Sequence, residues 1–176
     1  MRSGSPLLRI SDAVVIGAVA GSGGVSAIID LRSRRVPNPL TLGIALLGIA
    51  LAAMHVTNLS VAAALAGLAI GLALMVPGHL VGATGAGDVK LFAAIGTLLG
   101  PAHIVVAFVY TALAGGIVAL VVAARRRRLR ETMGRTAALV RTAGGNVADI
   151  EHASADNRFA YAPAIAIGAL IAALSV

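Results

Sequence analysis

The sequence predicts an all-α fold, a polytopic transmembrane helical bundle, from three observations. Hydrophobic residues make up 59% of the 176 residues and charged residues only 12%, and the mean hydropathy is +0.95. Soluble domains are closer to half apolar and a quarter charged. The apolar runs are also long and lack the alternation of a membrane barrel, so helices are the expected spanning elements.

About six spans are predicted, because a helix of roughly 20 residues crosses a bilayer. In chain order they run from Asp12 to Ile29, Leu40 to Leu59, Ser60 to Val81, Val89 to Leu99, Ile104 to Ala124 and Phe159 to Val176. Short connections separate most of them, so residues 1–176 are expected to form a single membrane domain. The long polar connection, residues 125–158, is expected to be cytoplasmic.

The basic residues orient these spans. The formal net charge of +7 comes mainly from arginines, and two arginine clusters, within residues 32–35 and 125–130, flank apolar runs. The positive-inside rule places both clusters in the cytoplasm, which requires an even number of spans between them, and the four predicted spans satisfy this. The fourth span has an apolar part of only about 11 residues, so a re-entrant segment is its alternative. Nucleic-acid binding is not expected, because aromatic residues are only 3% and the basic residues mark span ends.

Small residues are predicted to set the helix packing. Glycines four residues apart let helices approach closely where no hydrophobic effect drives their association. The pairs are Gly17 and Gly21, Gly67 and Gly71, and Gly96 and Gly100.

Two carboxylates are the strongest candidates for chemistry. Asp88 begins the fourth predicted span and Asp30 follows the end of the first. Ionisable groups near membrane spans are costly and mark functional sites. Two spans lie between these residues, and two crossings return the chain to the same face, so both carboxylates are expected at the cytoplasmic face. Such a pair can share one water, with one aspartate accepting its proton while the other polarises a scissile carbonyl.

Each aspartate also has a plain structural explanation. Asp30 could pair with a nearby arginine, and Asp88 could cap a helix, so the pair is more informative than either residue alone. Gly85 and Gly87 would let a peptide backbone approach Asp88 closely. The Gly-Lys-Ser/Thr ending of a phosphate-binding loop is absent. With no cysteine and four scattered histidines, no metal and no cofactor is predicted.

Two segments carry a family resemblance. Asp30 followed by arginines and Val36-Pro37-Asn38-Pro39-Leu40-Thr41, together with Gly85-Ala86-Gly87-Asp88-Val89-Lys90-Leu91, resembles the catalytic regions of type IV prepilin peptidases, the GxGD membrane aspartic peptidases. The resemblance implies that Asp30 and Asp88 are the catalytic pair. Active-site loop or substrate-binding roles are expected for Gly85, Gly87, Lys90, Pro37 and Asn38.

The resemblance also implies a substrate and a location. The expected partner is a prepilin or pseudopilin helix, beside membrane lipid, and its basic leader would be cut at the cytoplasmic face of the bacterial inner membrane. The chain lacks the cysteines and the extra domain of bifunctional members, so it resembles the short Flp or tight-adherence form, and N-methyltransferase activity is not expected. The alternatives are a small proton- or cation-coupled carrier that uses the same aspartates, and a noncatalytic membrane anchor. A carrier would favour carboxylates near the bilayer midplane.

Overall fold

The described part of the computed structural model is helical and comprises residues 10–33, 36–82, 84–125 and 161–175. Its helices are α1 (Ile10–Ser33), α2 (Asn38–Ala53), α3 (Val61–Leu80), α4 (Ala86–Arg125) and α5 (Ala162–Ala173). Segments of α1, α3 and α4 are long and apolar enough to cross a membrane, and α2 and α5 are shorter apolar helices. The predicted fold class is confirmed. Beyond Arg125, the predicted polar connection lies outside the described residues.

Helix α4 is a hairpin of two arms. Gly100 has a non-helical backbone, with φ 73° and ψ −179°, and Pro101 follows it. The rings of Phe92 and Phe108 lie on either side of this break, with centroids 6.1 Å apart. In a straight helix, sixteen residues would separate them by about 24 Å, so the second arm (residues 101–125) folds back along the first arm (residues 86–99). These arms correspond to the predicted fourth and fifth spans, and the number of membrane crossings stays a prediction.

The first arm of α4 is the centre of the bundle. Its residues from Leu91 to Leu99 are all buried, and a helix that is apolar all round requires neighbours on every side. Helix α3 approaches it so closely that a Cβ atom on Gly67 would collide with the carbonyl group of Gly96. Gly71 likewise faces the backbone of Ala93. These contacts confirm the predicted role of three of the glycines.

The other predicted glycine contacts differ. Gly100 also lies close to α3, because a Cβ atom on Gly67 would be 3.0 Å from its carbonyl carbon. It has a second role in the turn of the hairpin, because its positive φ is a conformation that residues with a side chain rarely adopt. A Cβ atom on Gly17 or Gly21 would meet no atom within 4 Å among the described residues. The close-packing prediction is therefore wrong for that pair within the described structure.

Helix α1 buries one narrow stripe of residues. Spaced three or four apart, its members lie on one side of the helix, and they are Val15, Val19, Gly23, Ser26 and Asp30. Helix α5 packs on this side, where Gly23 faces Ala166. Asp30 is thus turned inward because it continues an otherwise small and apolar stripe.

The loop after α2 marks the end of the bundle opposite Asp30. Helix α2 ends at Ala53, before the predicted end at Leu59, and His55 adopts a positive φ of 55°. The Asn58 side-chain amide donates a hydrogen bond to the Ser11 hydroxyl at 3.2 Å, which ties this loop to the start of α1. Since α1 starts here and ends beyond Asp30, the aspartate lies at the other end.

Candidate active site

Asp30 and Asp88 meet at one end of the bundle. Asp30 lies in the last turn of α1 and is 5% exposed, and Asp88 lies in the first turn of α4 and is 9% exposed. Their carboxylates are near enough to repel one another when both are charged. A buried like-charged pair is unfavourable, and such a pair is relieved when the two groups share a proton. The arrangement therefore suits proton transfer.

The Gly-Ala-Gly-Asp segment holds Asp88 through a local contact. The Gly85 N–H donates to Asp88 Oδ2 at 3.1 Å, and the Gly85 carbonyl accepts the Asp88 and Val89 amides at 3.0 and 3.2 Å. This contact is one of the two hydrogen bonds of a capping box: an acidic side chain in the first turn accepts the backbone N–H of the residue that precedes the helix. Asp88 is thus a capping residue as well as half of the carboxylate pair.

Gly85 and Gly87, which precede Asp88, have different surroundings. A Cβ atom on Gly85 would lie 3.0 Å from Asp88 Oδ2. A Cβ atom on Gly87 would lie 3.5 to 3.6 Å from atoms of Val36, which is buried in the segment between α1 and α2. The start of α4 therefore packs against the chain that follows Asp30, with ordinary van der Waals space for a Cβ atom at position 87.

The remaining predicted loop residues lie beside this contact. Pro37 precedes α2, and its carbonyl accepts the Leu40 and Thr41 amides at 3.1 and 3.3 Å. The Lys90 Nζ donates to Asn38 Oδ1 at 3.0 Å, so α2 and α4 are joined at the end that carries the carboxylates. Lys90 and Asn38 are exposed. The structure brings all of these residues to one end, and their roles stay predictions.

Asp30 has a distant partner that the sequence did not suggest. Its Oδ2 accepts the backbone N–H of Ala162 at 3.2 Å, across 132 residues of sequence. Ala162 is the first residue of α5, and Tyr161 precedes it. Pro163, which favours the first turn of a helix, was the available signal for this helix start. Nothing in the sequence paired that start with Asp30.

A groove lies between α2, α3 and the first arm of α4, and neither Asp30 nor Asp88 is among the described residues that line it. Its volume is about 520 Å³, and Asn38 and Lys90 line it together with apolar and small side chains. The small side chains of Ala45, Ala93 and Ala94 leave room in part of this groove. The groove could hold an apolar chain segment alongside the bundle.

The described residues contain no group of three or more His, Asp or Glu side chains that could hold a metal ion. The prediction that the protein uses neither a metal nor a cofactor remains a prediction.

Comparison with known proteins gives one match. The sequence profile of the type IV leader peptidase family matches residues 14–120, which is more than half of the chain. These residues include both aspartates and both arms of α4 up to Leu120, whereas α5 lies outside the match. No curated protein and no solved structure matches the chain.

Proposed function

We propose that this chain, which belongs to the type IV leader peptidase family, is an aspartic endopeptidase. Its catalytic pair would be Asp30 and Asp88. Family membership makes it a membrane peptidase. The observation that carries the aspartic assignment is that two carboxylates from separate helices are buried at the same end of the bundle, one in the last turn of α1 and one in the first turn of α4. On this proposal, residues 1–176 act as one membrane domain.

The proposed reaction is direct hydrolysis of a peptide bond. One carboxylate accepts a proton from water, whose oxygen attacks the scissile carbonyl carbon, while the protonated partner donates its proton to the carbonyl oxygen. The C–N bond of the tetrahedral intermediate then breaks, and the leaving nitrogen takes a proton from the carboxyl that had received it from water. The other carboxylate takes a proton from a hydroxyl of the intermediate as the new carboxylic acid forms, which restores the starting protonation state. Two carboxyls that together hold one proton supply both steps.

The proposed substrate is a prepilin of the Flp type, cut where its basic leader meets its apolar helix. The catalytic pair lies at helix ends, where a peptide can leave the apolar core of the membrane. The groove between α2, α3 and α4 includes Asn38 and Lys90, which lie at the same end of the bundle. We place the apolar helix of the substrate beside this groove. Gly85 and Gly87 leave space for a small residue at the cleavage site. Because the chain has no cysteine quartet, methylation of the new N-terminus is not proposed.

We also propose that this end faces the cytoplasm of a bacterial cell, in the inner membrane. Arg32 lies in the last turn of α1, beside Asp30, and positive charge favours the cytoplasmic side. The chain contains no cysteine, so single cysteines at exposed Ser33 and Met54 can be labelled separately. In intact cells a membrane-impermeant maleimide should label Met54→Cys and spare Ser33→Cys. The opposite pattern would invert the proposed orientation.

The function is tested with purified protein in liposomes. The substrate is a synthetic peptide with a basic leader, a small residue and an apolar helix, and the control peptide replaces each basic leader residue with serine. Release of the leader is expected without ATP or an ion gradient, at a rate that a metal chelator leaves unchanged, and the control peptide should be cut more slowly. Failure to cut, together with proton or cation flux that needs Asp30 and Asp88, would establish the carrier alternative instead.

A further inference from the structure

The peptide group between Thr84 and Gly85 is hydrogen-bonded on both of its sides. Its N–H belongs to Gly85 and donates to Asp88 Oδ2 at 3.1 Å. Its carbonyl oxygen belongs to Thr84 and lies 3.0 Å from Nδ1 of His79. A peptide group is planar and rigid, so a single rigid unit joins an imidazole ring to one carboxylate of the proposed catalytic pair.

The imidazole is the donor in its contact. A carbonyl oxygen only accepts hydrogen bonds, so Nδ1 of His79 carries the proton. Consecutive hydrogen bonds polarise one another. Donation to the Thr84 carbonyl therefore makes the N–H on the other side of the same peptide a stronger donor to Asp88.

The end of α3 brings the ring to this peptide. His79 lies in the last turn of α3, and Gly82, with a φ of 73°, turns the chain back after the helix. The Thr84 N–H then donates to the Gly78 carbonyl at 3.2 Å. The loop is thus folded back onto α3, which places the Thr84 carbonyl within reach of the ring.

The backbone of this loop has hydrogen bonds that do not involve the ring. Gly82 N–H donates to the His79 carbonyl at 3.0 Å, and Val81 N–H donates to the Pro77 carbonyl at 3.2 Å. The His79 side chain is exposed, so its replacement leaves no cavity in the core. We therefore expect the loop to form without the imidazole, and the ring to act on the orientation of one peptide.

We propose that His79 is a positioning residue of Asp88 that acts through the peptide group between Thr84 and Gly85. The ring fixes the carbonyl, the peptide plane fixes the direction of the N–H, and the N–H orients the carboxylate. The inference rests on the proposed peptidase function and adds the end of α3 to its active site.

The test varies the donor at position 79 in the full-length protein. His79→Asn keeps a donor nitrogen bonded to Cγ, as Nδ1 is, whereas His79→Gln places its nitrogen one bond farther out and His79→Leu has no donor. The control is His103→Leu, just beyond the Gly100 turn and at the other end of the first arm of α4 from Asp88. Steady-state cleavage of the leader peptide in liposomes is measured for each variant.

We expect His79→Leu and His79→Gln to lower kcat roughly tenfold, because small misplacements of catalytic groups have effects of at least that size. His79→Asn should stay within about threefold of the unmodified protein, and His103→Leu should match it. KM should change by less than about twofold, since His79 does not line the groove. A purely structural role predicts the reverse ranking, because leucine and glutamine favour a helix more than asparagine does.

The proton on Nδ1 gives a second measurement that does not depend on activity. With the histidine nitrogens isotopically labelled, NMR of the full-length protein in detergent reports which ring nitrogen is protonated, and the His79 signal is the one that His79→Asn removes. The hydrogen bond that a ring makes sets its tautomer, so neutral His79 should be protonated at Nδ1. Protonation at Nε2 alone would overturn the inference.

The outcomes separate this inference from the proposed function. If the unmodified protein cuts the peptide and all three His79 variants cut it equally fast, the positioning role is wrong and the peptidase function is retained. If His79→Leu does not fold, the comparison of His79→Asn with His79→Gln decides. If the unmodified protein does not cut the peptide, the proposed function fails and this inference fails with it.

Discussion

Asp30 and Asp88 are the same chemical group, buried to a similar degree, but different kinds of contact hold them. Asp88 accepts a hydrogen bond from Gly85, three residues earlier. Asp30 accepts one from Ala162, 132 residues later. The position of Asp88 is therefore set by the turn that starts its helix, and that of Asp30 by the packing of α5 on α1. The comparison shows that the two halves of one site can depend on local and on tertiary structure.

The largest effect is expected from the loss of either carboxyl. It should be similar at the two positions, because the reaction needs both groups. Asp30→Asn and Asp88→Asn should each lower kcat for leader cleavage by roughly a thousandfold, the scale of a lost acid–base group. Each amide keeps a side-chain oxygen that can accept the existing backbone hydrogen bond, so both proteins should accumulate normally. The control is Asp12→Asn, in the first turn of α1, which should retain full activity. Cleavage by either active-site variant at the rate of this control would contradict the assignment.

A change at the local contact should disturb Asp88 alone. Gly85→Ala introduces a Cβ atom 3.0 Å from Asp88 Oδ2, so the carboxylate must move, and we expect kcat to fall roughly tenfold. Gly24→Ala is the control, because its Cβ atom would meet nothing within 4 Å. Equal cleavage rates for the two variants would show that the turn does not set the position of Asp88.

The distant contact can be tested through the attachment of α5. A Cβ atom on Gly23 would lie 3.1 Å from the Cβ of Ala166, so the two helices need to separate by only a few tenths of an ångström to reach the Cβ spacing of a disulfide, about 3.5 to 4.5 Å. The Gly23→Cys, Ala166→Cys protein should therefore crosslink on oxidation, and no native cysteine competes. Adding Asp30→Ala should slow crosslinking roughly fivefold, as loss of one hydrogen bond worth about 1 kcal/mol would. Adding Asp88→Ala should leave the rate unchanged, and equal slowing by both would contradict the comparison.

The smallest effect is expected at the exposed contact between α2 and α4. The Lys90 to Asn38 hydrogen bond is 3.0 Å long and exposed, so water can replace either partner. A double-mutant cycle with Lys90→Met and Asn38→Ala should give a coupling free energy of unfolding below about 1 kcal/mol. Thermal unfolding in detergent measures it. A much larger coupling would mean that this bond, rather than the glycine contacts, holds the two helices together at this end.

The sequence predicted what depends on composition, spacing and local turns. The helical membrane fold follows from hydropathy, and the contact between Gly67 and Gly96 follows from small-residue spacing. The presence of Asp30 and Asp88 at one end agrees with the parity of the predicted spans. These features can be predicted from the residues of each helix and their order in the chain.

The remaining features arise from tertiary contacts or from single backbone angles. Helix α2 was predicted too long because a span was expected to need about 20 residues, and hydropathy carries no sign of the positive φ at His55 that follows the helix. Gly100 was predicted only to pack between helices, and besides lying close to Gly67 of α3 it turns the α4 hairpin. The contact between Ala162 and Asp30 joins segments that are far apart in sequence. The periodicity of hydrophobic residues within a helix does not predict which distant segment packs against it.

The central claim is that Asp30 and Asp88 act as one unit on one substrate, and a double substitution tests it most directly. The cleavage rates of Asp30→Asn, Asp88→Asn and the double variant are measured in liposomes against the unmodified protein. Groups that act together are not additive in their effects, so the double variant should lose no more than about threefold beyond either single variant. Losses that multiply, leaving the double variant roughly a millionfold slower, would mean that the two carboxyls work independently and that the pair does not exist.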